Sequence, residues 1–171
     1  AVHSAKDMPN PCKKGLGIAG VLPRACVQDV LIYRAGTDIR SKDTFTVGTG
    51  SLRRRCQIKA LYPKAECMEL RGNVTTRIQK LRDGLYDAII LAAAGIERLG
   101  IEKEPDLVYE YLDVDAMLPA AGQGIIAIEA CEGTLPYRMA QTISNAETEV
   151  CLRAERAVVR EMEAGCHEPI G

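Results

Sequence analysis

The sequence predicts an α/β fold, and three observations predict it. Short apolar runs rich in Val, Ile and Leu alternate with segments of helical spacing. Glycine-bearing turns separate the two kinds of segment. The core must rest on aliphatic side chains, because the 171 residues include one Phe, six Tyr and no Trp. No apolar run approaches the ~20 residues a membrane helix needs, so the chain reads as a globular domain or two with no membrane association.

The elements follow in order. The opening Ala1–Pro9 stretch places Ser4, Lys6 and Asp7 at the end of a strand, and Pro9 forces an extended or turning exit. Leu16–Leu22 and Asp29–Tyr33 read as strands. Phe45–Val47 is a short strand leading through Gly48-Thr49-Gly50-Ser51 into a helix over Leu52–Leu61. Ala65–Leu70 is a strand, Val74–Arg82 a helix that Gly84 ends, and Tyr86–Ala92 and Gly124–Glu129 are further strands. For the last helix, Ser144 and Glu147 have capping-box spacing. Val150, Cys151, Ala154, Ala157, Val158 and Met162 then recur as an apolar face, and Gly165 supplies the stop. Cys166 falls just beyond, in a loop.

Charge is unevenly placed. The formal net charge is −1. Yet Arg53, Arg54, Arg55, Lys59, Lys64, Arg71, Arg77, Lys80 and Arg82 face only Glu66 and Glu69 in the same stretch. Between Glu102 and Asp115 six acids face Lys103 alone. An anion-attracting surface can therefore exist on a near-neutral protein.

Strand, glycine turn and helix occur twice with basic residues in the turn or the helix's first turn: Gly48–Arg55 and Leu70–Arg77. Cations there oppose the helix dipole by ~0.3–1 kcal/mol each. Three consecutive arginines against that preference point to a bound anion, and a guanidinium matches a carboxylate or phosphate with paired hydrogen bonds. Neither turn has P-loop spacing. With only Tyr62 available for stacking in the basic stretch, nucleic acid is disfavoured. Seven cysteines without a C-x-x-C pair suggest neither a disulfide framework nor a zinc site, and point to a reducing compartment. His3 and His167 are too few to build a metal centre.

Taken together, the motifs resemble the porphobilinogen deaminase (hydroxymethylbilane synthase) family. Val2-His3-Ser4-Ala5-Lys6-Asp7-Met8-Pro9 is similar to its V-H-S-x-K-D-x-P, and Gly48–Arg54 to its G-T-S-S-L-R-R. Leu70-Arg71-Gly72-Asn73 with Thr76-Arg77 is similar to L-R-G-N-x-x-T-R. Ala94–Gly100, Leu118–Gly124 and Gly165–Gly171 follow in the family's order. One departure is Gly50, where the family usually has serine. The loss of one hydroxyl donor to a charged group is worth about 1.5–3 kcal/mol, enough to alter affinity but not identity.

The resemblance implies periplasmic-binding-protein-like (type II) domains with mixed sheets flanked by helices, plus the start of a small third α/β domain. Residues 1–27 would close the first half of domain 1, and 28–117 would form domain 2. Residues 118–143 would return to domain 1, and 144–171 would begin domain 3. The chain would then be a central fragment, inactive by itself, from a monomer of the cytoplasm or a plastid.

The implied reaction joins four porphobilinogens head to tail with loss of ammonia, on a dipyrromethane cofactor held by a cysteine thioether. Cys166 matches the attachment cysteine and Asp7 the catalytic aspartate, whose carboxylate stabilises positive charge on pyrrole nitrogens. Ser4, Lys6, Thr49, Ser51, Arg53, Arg54, Arg71, Gly72, Arg77, Arg98 and Gln123 match positions holding the carboxylates of cofactor and substrate. A non-catalytic anion-binding module is the competing reading; it has no need of Asp7 or Cys166.

Overall fold

A computed structural model describes residues 1–101 and 104–162. The chain divides into two compact units, one formed by Ala1–Cys26 with the segment from Ala120 onward, the other by Val27–Pro119.

The first unit is a three-stranded antiparallel sheet with helices. Its strands are β1 (Val2–Ser4), β2 (Leu16–Val21) and, much later, Ile126–Cys131, which lies between them. A short 3-10 turn, Ala5–Asp7, follows β1 directly. Ala5, Met8, Val21, Ile125, Ala127 and Leu152 form the core.

The second unit is a five-stranded mixed sheet. Its strands in chain order are β3 (Asp29–Arg34), β4 (Phe45–Gly48), β5 (Ala65–Met68), β6 (Ala88–Ala92) and β7 (Leu107–Tyr111), arranged β5-β4-β6-β3-β7. β4 runs parallel to β5 and β6, while β3 is antiparallel to both its neighbours. Helices α1 (Leu52–Leu61), α2 (Val74–Arg82) and α3 (Ala93–Leu99) follow β4, β5 and β6. Leu31, Phe45, Val47, Ile58, Ala88 and Ile90 anchor the core, in the aliphatic composition the sequence demands. The Ile126–Cys131 strand is β8, and α4 (Leu135–Thr142) and α5 (Ala146–Glu161) follow it among the described residues.

Three elements have no counterpart in the sequence reading. β7 is an edge strand paired only with β3, so it tolerates the acidic, partly exposed side chains that hid it. α3 is a single seven-residue element with Gly95 inside it. α4 did carry a signal: Thr134 accepts from the Tyr137 amide at 3.4 Å, and Pro136 stands in the first turn.

The last helix is also corrected. Its cap is Asn145, whose Oδ1 accepts from the Thr148 amide at 2.9 Å, not Ser144. Ser144 instead accepts from the Val21 amide at 3.1 Å and donates to Glu149 at 3.2 Å. The buried face is Thr148 and Leu152, while Val150, Cys151, Val158 and Met162 are exposed. An apolar stripe alone did not identify the buried face, because Thr148 earns its burial by accepting from the Arg24 amide at 3.1 Å. The stop assigned to Gly165 lies outside the described residues; α5 ends at Glu161.

Candidate anion-binding site

In the first unit, Ser4, Lys6 and Asp7 fall at the end of β1 and in the turn after it. Ser4 and Lys6 are half-buried and Asp7 is exposed. The turn is shaped from beneath by the Gly122–Gly124 segment. Both glycines have positive φ, 75° and 84°. A Cβ on Gly122 would come within 3.1 Å of Ala5 and of the Lys6 amide, and one on Gly124 within 2.5 Å of the Ala25 carbonyl. Only glycine permits this approach. Gln123 between them is fully buried and accepts from Lys6 Nζ at 3.3 Å.

A further pair steadies that segment. Glu155 of α5 pairs with Arg24 at 2.5 Å and accepts from the Gly122 amide at 2.7 Å, while Arg24 Nε donates to the Gln123 carbonyl at 3.0 Å. Neither Arg24 nor Glu155 stands in a sequence motif that points to a ligand.

In the second unit, Gly48 ends β4 and the chain turns through Thr49, Gly50 and Ser51 into α1. Thr49 is buried, and its hydroxyl accepts from the Ser51 amide at 3.2 Å. Ser51 caps α1 by accepting from the Arg54 amide at 3.4 Å. Ser51 is half-buried. A Cβ at Gly50 would lie 3.1 Å from the Leu70 carbonyl and 3.4 Å from Glu69 Oε1.

Arg53 and Arg54 turn inward, with 4% and 6% of their surface exposed. Both reach Asp29, the fully buried first residue of β3. Arg53 Nη2 lies 2.5 Å from Asp29 Oδ2, and Arg54 donates to Oδ1 from Nε at 3.0 Å and Nη2 at 2.8 Å. Arg54 Nη1 donates to the Ile90 carbonyl at 3.3 Å, and Arg53 Nη1 to the Leu118 carbonyl. Arg53 Nε is buried with no partner among the described residues. Burial alone would push the Asp29 carboxyl up, but the Arg54 and Arg53 guanidiniums outweigh it and hold it below the usual carboxylate value. Burial pushes Arg53 down, against the pull of Asp29.

The bound anion expected at the helix's first turn is replaced, for Arg53 and Arg54, by an internal side chain, Asp29, which the sheet brings to them. It neutralises only one of two positive charges. A dry cluster left with a surplus cation favours a second anion close by.

The Leu70–Arg77 turn is built differently. Asn73 caps α2, accepting from the Thr76 amide at 2.8 Å. Gly72 has φ 119°, and a Cβ there would lie 2.9 Å from Thr76. Arg71, 86% exposed in its side chain, pairs with Glu69 at 3.0 Å, and Arg55 meets the other oxygen of Glu69 at 3.4 Å. Half-buried Arg77 donates to the Gly72 carbonyl at 2.6 Å. Arg98, near the end of α3, is exposed. Cys166 lies outside the described residues.

Asp29 is the residue that sequence reasoning missed. A signal existed: an acid heading the apolar run Val30-Leu31-Ile32 must be either exposed or paired, and a central strand leaves only pairing. Among the described residues no group of acidic, histidine or cysteine side chains could hold a metal ion. No described helix is long and apolar enough to cross a membrane.

These features define an α/β chain whose helix-leading turns present guanidiniums and hydroxyls suited to carboxylates or phosphates. Comparison with known proteins narrows the class. Residues 1–137 match the family model described as porphobilinogen deaminase, dipyromethane cofactor binding domain, and the chain belongs to the porphobilinogen deaminase family. The porphobilinogen deaminase of Roseiflexus castenholzii is 42% identical over 173 residues, covering 100% of this chain and 56% of that protein. That of a Geobacillus species is 44% identical over 178 residues, with 99% and 55% covered. The chain therefore spans about half the length of the relatives it matches. Among solved structures, the periplasmic VFT2 domain of Bordetella pertussis BvgS aligns with 82% of this chain and 60% of its own, at 16% identity and a TM-score of 0.48. The α/β class rests on the two sheets themselves.

Proposed function

We propose that the full-length protein containing this chain joins four porphobilinogens head to tail, with release of ammonia, on a dipyrromethane cofactor attached through Cys166. The observation that carries this reading is the surplus buried cation at the start of α1, in a segment matching the family's motif. A pyrrole carrying acetate and propionate groups brings the anions that such a site favours.

The residues present fit such a group. Arg53 Nε is buried without a described partner, the Ser51 hydroxyl and the first turn of α1 lie beside it in sequence, and all are suited to a carboxylate. Bound, the cofactor supplies a covalent primer from which the chain grows. Arg53, Ser51 and Thr49 would hold carboxylates, and Arg71, Arg77 and Arg98 would take those of added rings. Lys6, steadied by Gln123, contributes one more cation in the first unit. Asp7, on the turn fixed by Gly122, would place its carboxylate against pyrrole N–H groups and stabilise the positive charge that develops there as ammonia departs. The assignment of 1–27 and 118–143 to one domain, 28–117 to a second and 144–171 to the start of a third belongs to the same proposal.

Two measurements on the full-length protein test it. Intact mass should show a covalent dipyrrole on Cys166 that Cys166→Ala abolishes; an unmodified, non-catalytic anion binder would overturn the reading. Asp7→Asn should keep the adduct but release ammonia at least about a hundredfold more slowly. Wild-type ammonia release from that variant would remove Asp7 from the mechanism.

A further inference from the structure

We infer that Asp29 is a positioning residue that sets two different jobs for the adjacent arginines: Arg54 as scaffold and Arg53 as the ligand contact. This inference rests on the reading proposed above and deepens it. Asp29 heads β3, the strand between β6 and β7, so its backbone is fixed on both sides. It is fully buried, and each carboxylate oxygen takes a different guanidinium.

The consequences for the two arginines are unequal. Arg54 has all three nitrogens engaged: Nε and Nη2 on Asp29, Nη1 on the Ile90 carbonyl. Arg53 has only its two terminal nitrogens engaged, on Asp29 and the Leu118 carbonyl, and its buried Nε has no partner among the described residues. A carboxylate arriving at Arg53 therefore meets a guanidinium already oriented by Asp29, and the orientation is set before binding. A fixed donor loses less freedom on binding than one that must first be ordered. Charge points the same way. One carboxylate between two guanidiniums leaves a single positive charge, so Asp29 moderates the pair without neutralising it.

The test compares two variants of the full-length protein with wild type. Asp29→Asn removes the clamp and raises the surplus charge. Asp29→Asn/Arg54→Gln removes the clamp while restoring the surplus to one, and it serves if the single variant does not fold. Two readouts are taken. One is the hydrogen-exchange rate of the Arg53 and Arg54 Nε–H groups by NMR, which does not depend on turnover. The other is the separation of KM for porphobilinogen from kcat.

If Asp29 positions Arg53, Arg54 Nε–H in Asp29→Asn exchanges at least about fivefold faster, and KM rises at least about fivefold in whichever variant folds, with kcat changing less than KM. If Asp29 serves only to balance charge, the double variant recovers wild-type KM, and the inference is overturned. Unchanged Nε–H exchange in Asp29→Asn overturns it equally. A wild-type protein without ammonia release sinks the functional reading instead, and the exchange comparison then still decides whether Asp29 clamps the pair.

Discussion

The turns before α1 and α2 share one pattern in sequence and carry opposite chemistry in structure. Each follows a strand of the same sheet, each has a glycine and a hydroxyl or amide cap, and each is rich in arginine. Before α1, the arginines are buried on an internal acid that lies 24 and 25 residues away in sequence. Before α2, Arg71 is exposed and pairs with Glu69, two residues away. The difference comes from the strand each turn faces. β3 brings Asp29 beneath α1, while at the α2 turn Arg71 pairs with the surface acid Glu69. A guanidinium held from inside is oriented and dry; one held at the surface is screened and free to re-pair.

The contrast can be broken by mutation. The largest effect is expected from Arg54→Leu, which takes from Asp29 the guanidinium that makes two hydrogen bonds to it. Loss of one member of a buried charge cluster costs about 3–5 kcal/mol. Exchange protection of the β3 amides in the full-length protein should fall accordingly, and a change no larger than that of a surface variant would show the cluster is not a clamp.

Acid sharpens the same point. The folded-state value of Asp29 is depressed, so its contribution is complete above the ordinary value of 3.8 and is lost only as pH falls through the depressed one. Protection of β3 should hold down to the usual carboxylate range and fail below it. Loss attributable to Asp29 near pH 5, absent in Asp29→Asn, would contradict the depression.

Smaller effects belong to the α2 turn. Gly72→Ala forces a side chain into φ 119° and against Thr76, at about 1–3 kcal/mol, measurable as local exchange around α2. Least of all, Glu69→Gln removes the partner of Arg55 and Arg71 at the surface and should shift stability by no more than about 1 kcal/mol. A larger shift would mean that the two turns are less different than their burial indicates.

What could be read beforehand follows the same divide. Local patterns were legible: most strands and the first two helices depend on neighbours in sequence, whereas Lys6 and Asp7, read as the end of a strand, lie in the 3-10 turn after it. The demand for an anion at Arg53 and Arg54 was legible too, because it arises from the helix's own dipole. Its answer was not, since Asp29 reaches α1 only through the strand order of the sheet. α5 failed for a related reason. Its apolar stripe was plain, but the choice of face was made by Thr148 and Leu152 against the first unit's core. β7 stayed hidden because an edge strand bears charges that resemble a loop.

The position of Asp29 at the head of β3 has one more consequence. Side chains alternate across a sheet, so a slip of one residue against β6 would swing the carboxylate to the far side and shut both guanidiniums in with no anion at all. Neighbouring apolar residues could trade places in such a slip at modest loss, since the run Val30-Leu31-Ile32 is oily on both sides. The ionic knot cannot. It therefore proofreads the pairing of an otherwise repetitive strand, rejecting the wrong alignment by charge where greasiness alone would accept it.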